Sequence, residues 1–419
     1  MMANTTQSFL LVEQKRFGEI SNRLMNVDWA ILDELTKRLE AGEHVQVNSE
    51  SDSVKQCFQL LHDLDAISGR MHGSTTSKKY MRNKIWSLTN HLGSPSWYIT
   101  LSPADIQHPI CVYFAGTRDN FTPDVPGYDD RMRMVCQNPI AGARFFHFIV
   151  QTFIEDVLSI NNQNQQGYYG PTSGYYGTVE QQGRLTLHMH MLLWIKGNLN
   201  PEDMRKRILD EDSVWRKKVL DWLEHCHVGD FINGTHADVL EQIRELKKGD
   251  NYIDPTTTLP VPGPPDPCQK HTNELSNSCH ECTQAGIALS EWSENYRNIV
   301  NDLLLCSNIH NCNKGTRKDG MRKKKADYAA CMDNKWGKCK ARFPRLTVLK
   351  SIINETGAII MKKLEPWINI FMPLITYLLH CNTDVTSLSS GTAIKAVIMY
   401  VSDYVVKPTL KTHIIFDSI

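Results

Sequence analysis

The sequence predicts an α+β fold: an antiparallel sheet with helices packed against it, a helical N-terminal region and a cysteine-rich insertion. Three observations carry that expectation. Apolar residues recur at spacings of three and four through the first 92 residues, which is the helical period. Residues 185–195 alternate with period two, which is the strand period. A short polar connection, Gln182-Gly-Arg184, joins that segment to Tyr175–Gln181 and makes the two a hairpin, with Gly183 in the turn. The 419 residues leave room for two or three domains. With 41% hydrophobic and 22% charged residues, the chain is neither collagen-like, coiled-coil nor wholly disordered. Its 46 basic and 46 acidic residues cancel, so any charge that selects a partner has to be local. Mean hydropathy is −0.37, and no apolar run approaches roughly 18 residues, so no membrane helix is expected. The start, Met1-Met-Ala-Asn, has no basic stretch ahead of its apolar residues, and no secretion leader is expected either.

The elements follow in order. Ile20, Leu24, Trp29, Leu32 and Leu35, then Phe58, Leu60, Leu61 and Leu64, mark helices, with Asp28 and Ser53 as N-caps. Gly93-Ser-Pro95 ends this helical region, taken as residues 1–92. Trp97-Tyr-Ile-Thr-Leu101 is aromatic and β-branched and is stopped by Pro103, so it is a strand. A second short apolar run is Ile110–Phe114, and 115–137 reads as loop. Pro139 opens a helix to about Ile160 that buries Phe145, Phe146, Phe153 and Val157. Asn161–Gly174 reads as loop, the hairpin follows, and 201–247 reads as helical, completing a first core segment, 93–249. The insertion, 250–345, begins with six prolines between Asp250 and Pro267. The last segment, 346–419, holds two short strands around Asn354-Glu-Thr-Gly357, the apolar Leu364–Leu379, and a helix Thr392–Val406 that Pro408 ends.

Chemistry concentrates in the hairpin. Residues two apart on a strand face the same way. Leu185, Leu187, Met189, Met191 and Leu193 therefore form one face, a core face, and Thr186, His188 and His190 the other. Two imidazoles about 7 Å apart at the backbone suit chelation of one ion. The plain alternative is a pair of polar residues on the solvent side of a sheet. Glu180 stands just across the turn. A three-residue connection sets it beside Thr186 on the histidine face, and a two-residue connection turns it to the core face. In the first case two histidines and a carboxylate leave coordination positions open for substrate oxygens and suit Mg²⁺ or Mn²⁺ among other ions. His225-Cys-His227 has the same spacing but ends a helical stretch, so ordinary histidines at a helix C-terminus are expected there.

Of twelve cysteines, seven lie between Cys268 and Cys339, among His271, His280 and His310. Without a leader, reduced thiols are expected. His310/Cys312 and Cys331/Cys339 form a candidate structural zinc site, with Cys306 close by; Cys268, His271, Cys279, His280 and Cys282 offer a second set, and buried free thiols are the alternative for both. Between Cys312 and Cys331 runs Lys314-Gly-Thr-Arg-Lys-Asp-Gly-Met-Arg322-Lys323-Lys324-Lys325, a phosphate-contacting surface, a nuclear import signal or a solvated loop. Tyr168, Tyr169 and Tyr175, before the histidine strand, are candidates for stacking on bases.

Tyr400 and Tyr404 are four apart on the last predicted helix, one turn from each other, with Lys407 a further turn on. Such a pair is either interfacial or a pair of nucleophiles able to form phosphotyrosine beside a metal. The segment Tyr176-Gly-Thr-Val-Glu-Gln-Gln-Gly-Arg-Leu-Thr-Leu-His-Met-His-Met-Leu-Leu-Trp194, followed by Tyr400 and Tyr404, resembles the replication-initiator domain (the Helitron helicase-like N-terminal domain) of Helitron rolling-circle transposases, of the His-hydrophobe-His nuclease class. Trp97-Tyr-Ile-Thr-Leu-Ser-Pro103, Cys339-Lys-Ala-Arg-Phe-Pro344, Trp367-Ile-Asn369, Met372-Pro373 and Cys381-Asn-Thr-Asp384 fit the order of that family's motifs, over about residues 90–407. Leu187 and Leu185 depart from it, where many relatives carry Pro and Gly.

The resemblance implies a ferredoxin-like or palm-like sheet with the tyrosine helix lying across the metal face. It implies that His188 and His190, with Glu180, hold Mg²⁺ or Mn²⁺, and that Tyr400 and Tyr404 are the nucleophiles. Arg184, Lys407 and Arg322–Lys325 would contact single-stranded DNA. The expected activity is nicking and strand transfer in the nucleus, through a 5′-phosphotyrosine. The family continues into a helicase; this chain stops fifteen residues after Tyr404, as a fragment or a decayed copy does. A catalytically inactive DNA-binding relic and a rolling-circle replication initiator are the alternatives.

Overall fold

A computed structural model describes residues 14–40, 43, 45, 51–68, 75–116, 119–160, 166–181, 186–210, 214–260, 263–271, 279–312, 331–332, 336–388 and 397–402. Its contacts divide the chain into two compact units, residues 1–91 with 398–419, and residues 92–397.

The first unit is helical: α1 (Gln14–Asn26), α2 (Trp29–Glu40), α3 (Asp52–Ser68) and most of α4 (Thr75–Leu92). Asp28 caps α2, its carboxylate accepting from the N–H groups of Ala30 at 2.9 Å and Ile31 at 3.2 Å. The cap of α3 is Ser51 and not Ser53, because the helix starts at Asp52; the Val54 N–H reaches the Ser51 hydroxyl at 3.5 Å. Val27, Leu35, Cys57 and Leu60 form its core, and Arg23 of α1 pairs with Asp63 of α3. Trp29, expected on the apolar face, is 63% exposed.

In the second unit the sheet comes first. Strands β1 (Trp97–Ser102), β2 (Thr172–Gln181), β3 (Leu187–Ile195) and β6 (Asn382–Ser387) pair antiparallel in the order β2-β3-β1-β6. β3, the expected histidine strand, is thus an interior strand between β2 and β1. Trp97, Ile99 and Leu101 of β1, Met189, Met191 and Leu193 of β3 and Val385 of β6 share one face. Helix α7 (Pro139–Thr152), which runs on as a π-turn Phe153–Val157, supplies the same cluster with Phe145, Phe146, Ile149 and Phe153. Each such side chain contributes about 1.5–3 kcal/mol on burial.

Several expectations change here. Ile110–Phe114 lies in a helix, α5 (Pro109–Ala115), because Pro109 takes the first helical position and His108 Nδ1 accepts the Ile110 N–H at 3.3 Å. Helix α6 (Tyr128–Gln137) occupies part of the predicted loop; only Val135 of it is buried, so it has no apolar stripe to read. The stretch 201–247 is three helices, α8 (Pro201–Ile208), α9 (Val214–Cys226) and α10 (His236–Leu246), the last opened by a Thr235/Asp238 capping box. The insertion contains a 28-residue helix, α11 (His280–Ser307), buried through Val300, Leu303 and Leu304. The two short strands do form, as β4 (Ile352–Ile353) and β5 (Ile359–Ile360), with Gly357 at φ +74° in their turn. Helix α12 (Pro373–Leu379) leads into β6, a strand not foreseen. Among the described residues, no helix is long and apolar enough to cross a membrane.

Candidate metal centre

The hairpin register places the acid. Glu180 of β2 is the direct cross-strand partner of His188, and Thr178 that of His190. Since Gln181 pairs with Leu187, the connection spans 182–186, two residues more than the three-residue loop considered above. Two is a whole strand period, so Glu180 moves along the strand and keeps its face. Gly183 and Arg184 lie outside the described residues.

The donors converge. Glu180 Oε1 lies 2.6 Å from His188 Nε2 and 3.4 Å from His190 Nε2. The three ligand atoms all fall within 4.8 Å of one another. The two imidazoles meet edge to face, with centroids 4.9 Å apart and planes at 85°, so their Nε2 atoms approach one point from two directions. The far side of His190 is held from β1. Tyr98 Oη stands 2.7 Å and Thr100 Oγ1 3.0 Å from Nδ1, and the Tyr98 ring stacks on the imidazole at 6.0 Å and 7°. Hydroxyl oxygens at Nδ1 orient the ring and leave Nε2 for a cation, as outer partners of metal-bound histidines do. Two imidazole nitrogens and one carboxylate oxygen so close together suit a divalent cation.

One expectation about this site is corrected. The strand alternation sets His188 and His190 opposite the core face, but they are only 1% and 5% exposed. Leu192 and Trp194 on the same face are buried too, Trp194 donating its indole N–H to Gly93 O at 2.8 Å. Both faces of β3 are covered, as befits an interior strand. Glu180, with about a quarter of its side chain accessible, is the solvent-facing member of the triad.

The sheet adds a residue that sequence reasoning missed. Thr100 pairs with His190 on one side and with Asp384 of β6 on the other, so Thr178, His190, Thr100 and Asp384 form one polar row across four strands. Burial pushes the Asp384 carboxyl up to about 6, against the opposing pull of Arg345 and Lys363. The alternation Asn382, Asp384, Thr386 between buried Thr383 and Val385 was the available signal. Lys363, whose ammonium donates to Ile368 O at 3.0 Å, is itself lowered to about 8 by burial and by Arg345.

Elsewhere, His310, Cys312, Cys331 and Cys339 come together, with His310 Nε2 3.5 Å from Cys331 Sγ and 3.2 Å from Cys339 Sγ. Phe343, of the Cys-Lys-Ala-Arg-Phe-Pro element, stacks on His310 at 4.3 Å and 12°. Cys306 is not part of that cluster; it bonds to Asp302 on α11. Arg322, Lys323, Lys324 and Lys325 lie outside the described residues, as do Tyr404 and Lys407. Tyr400 sits in a helical stretch, 397–402, and is 44% exposed. Of the proposed base-stacking tyrosines, Tyr168 and Tyr175 are 40% exposed, but Tyr169 is buried against Trp97 at 5.1 Å and has no face to offer. His225 and His227 do end a helix: His225 is in the last turn of α9, bonded to Asp221 O at 2.6 Å.

Residues 1–193 match the family model described as "Helitron helicase-like domain at N-terminus". The matched part ends within β3, after Glu180, His188 and His190, and the match supports a Helitron relationship for this chain. No curated protein and no solved structure matches it.

Proposed function

We propose that this chain is a Helitron-type initiator that nicks single-stranded DNA and transfers the strand through a 5′-phosphotyrosine. The observation that carries the reading is the convergence of Glu180, His188 and His190 on one point of an interior strand, inside the region that matches the Helitron domain. A Mg²⁺ or Mn²⁺ ion on these donors would polarise the scissile phosphate. The protein's part is to present them. Tyr98 Oη and Thr100 Oγ1 hold the Nδ1 side of His190, which turns Nε2 toward Glu180, where a cation would sit. Glu180, the partly accessible member of the triad, would offer its carboxylate to a cation from the solvent side of the site.

The nucleophile is assigned to Tyr400 or Tyr404 on the strength of the sequence resemblance. Its phenol oxygen attacks phosphorus, the P–O3′ bond breaks, and the phenolic proton ends on the departing 3′-hydroxyl; the 5′ side stays on the tyrosine. A second tyrosine permits a second cut while the first end is held. The order β2-β3-β1-β6, with helices between β1 and β2 and between β3 and β6, supports the ferredoxin-like reading of the sheet. Single-stranded DNA as partner, the basic run Arg322–Lys325 with Arg184 and Lys407 as its contacts, a nuclear location, and zinc on His310, Cys312, Cys331 and Cys339 belong to the same proposal.

The test is incubation with labelled single-stranded oligonucleotides and Mn²⁺, followed by denaturing electrophoresis and peptide mass spectrometry. A covalent adduct on Tyr400 or Tyr404 is expected, lost in Tyr400→Phe/Tyr404→Phe. An equal adduct yield from that double variant rejects the mechanism. Binding without any adduct identifies an inactive relic.

A further inference from the structure

Cys268, His271, Cys279 and Cys282 are drawn into one knot at the start of α11. Cys279 is the N-cap of the helix and Cys282 lies in its first turn; Cys268 and His271 come from the end of the proline-rich segment. Cys268 and Cys282 are 4% and 2% exposed. The separations are informative. His271 Nδ1 lies 3.8 Å from Cys268 Sγ and 3.4 Å from Cys282 Sγ, and Cys268 Sγ lies 4.0 Å from Cys279 Sγ. All four ligand atoms fall within 4.8 Å of one another. A tetrahedron with zinc–sulfur bonds near 2.3 Å and a zinc–nitrogen bond near 2.05 Å has edges of roughly 3.5–3.8 Å. The observed edges cluster at that length. They are far beyond the roughly 2.05 Å of a disulfide, so these sulfurs are not cross-linked to one another.

We infer that Cys268, His271, Cys279 and Cys282 form a structural Zn²⁺ site, separate from the His310 cluster, that clamps the proline-rich segment to the first turn of α11. His280, the fifth candidate from the sequence, is excluded: it is the first residue of α11 and it is not among the converging atoms. The spacing explains the choice. Cys279 and Cys282, three apart across a helix start, turn toward one point, as do Cys268 and His271 across a turn whose His271 N–H reaches Cys268 O at 3.3 Å. Three thiolates and a neutral imidazole leave the zinc complex with one net negative charge. Lys270, paired with Glu281 at 2.8 Å, stands next to it. The clamp has a mechanical role. Asn301 of α11 accepts from the Ile232 N–H at 3.0 Å, and Asp302 holds Tyr252 at 2.6 Å and Lys247 at 2.9 Å, so α11 fastens the segments that follow α9 and α10. Zinc at its N-terminal end ties the proline-rich segment to the same strut.

The test measures metal in the full chain carrying His188→Ala and His190→Ala, so that the sheet site holds none. Zinc is counted by mass spectrometry after gel filtration, and Co²⁺ substitution reports thiolate-to-metal charge transfer. Two zinc ions per chain are expected, one for each cysteine-containing cluster, and Cys268→Ser/Cys282→Ser removes one of them. His271→Cys keeps the metal and moves the cobalt spectrum toward four-thiolate coordination, which shows that the segment still folds. If the chain holds a single zinc that Cys268→Ser/Cys282→Ser abolishes, the inference stands and the His310 cluster is not a zinc site. A zinc content unchanged by Cys268→Ser/Cys282→Ser, or a cobalt spectrum unaltered by His271→Cys, overturns it.

Discussion

Glu180, His188 and His190 meet because two strands pair in one register; Cys268, His271, Cys279 and Cys282 meet because a loop closes on the first turn of a helix. The first set is built by the sheet. Its backbone is fixed by ladder hydrogen bonds, its far face by the apolar cluster of β1, β3 and α7, and His190 by two hydroxyls ninety and more residues away in sequence. The second set spans fifteen residues of sequence, from Cys268 to Cys282. A site of the first kind is preformed and meets its ion ready-made, whereas one of the second kind uses the ion as part of its cohesion. The difference predicts that the sheet-borne site would tolerate loss of a metal and fail with loss of register, and that the cysteine cluster would do the reverse.

The largest effect expected separates chemistry from folding. Glu180→Gln keeps the shape of a partly exposed side chain and removes the charge that a cation needs, so nicking should fall by about 1000-fold, equivalent to about 4 kcal/mol of transition-state stabilisation, while the thermal midpoint stays put. His188→Ala should show the same loss of nicking and also a lower midpoint, since it leaves a hole on a covered face. Normal nicking by Glu180→Gln with Mn²⁺ would break the comparison at its root.

The core behind the site comes next. Ile99 is fully buried on β1, in register with Met191 of β3. Ile99→Ala should cost about 2–5 kcal/mol in denaturant unfolding. It should leave the zinc content of the cysteine clusters unchanged, and loss of zinc alongside the core would show that the two regions do not fold independently.

Acid sharpens the contrast further. His108 is 4% exposed against Phe145, and burial, with His380 nearby, lowers its pKa to about 4; burial lowers that of His380 as well. A histidine depressed in the folded state stabilises it fully above the unfolded value, near 6.5. That contribution is lost as the pH falls from there through about 4, because the unfolded chain takes up the proton first. For His108 the span is worth about 3 kcal/mol. His108→Asn retains an N-cap acceptor for α5 and should flatten the acid limb of the stability curve between pH 6.5 and 4. An unchanged slope would assign the acid sensitivity to other groups.

The smallest effect concerns the outer partners. Tyr98→Phe removes one oxygen from His190 Nδ1 and leaves the ring stacked; Mn²⁺ affinity should fall by about 10-fold, and by up to about 100-fold when Thr100→Val is added. Equal affinity for wild type and the double variant, measured by Mn²⁺ titration, would show that the sheet positions His190 without them.

Read alone, the residues established what depends on neighbours in sequence. The alternation of Leu187 to Leu193 determined a strand and put His188 and His190 on one face, Pro139 and the following apolar residues a helix, and the turn chemistry around Gly357 a small hairpin, because periodicity and backbone preference act over a few residues. Local signals failed at α6, which lacks an apolar stripe, and at α11, whose buried residues, Cys282 apart, gather at its C-terminal end, from Val300 to Leu304. What only the tertiary structure decided was non-local: that Glu180 faces His188 and not Thr186, that Tyr98 and Thr100 hold His190 from β1, that Asp384 lies in the same row, and that the histidine face is covered. A strand's own sequence specifies which residues share a face, but register and burial are set by the partner strands and the layers packed on them: β2 is the neighbour of β3 in sequence, while Thr100 of β1 lies 90 residues from His190 and β6 lies farther still.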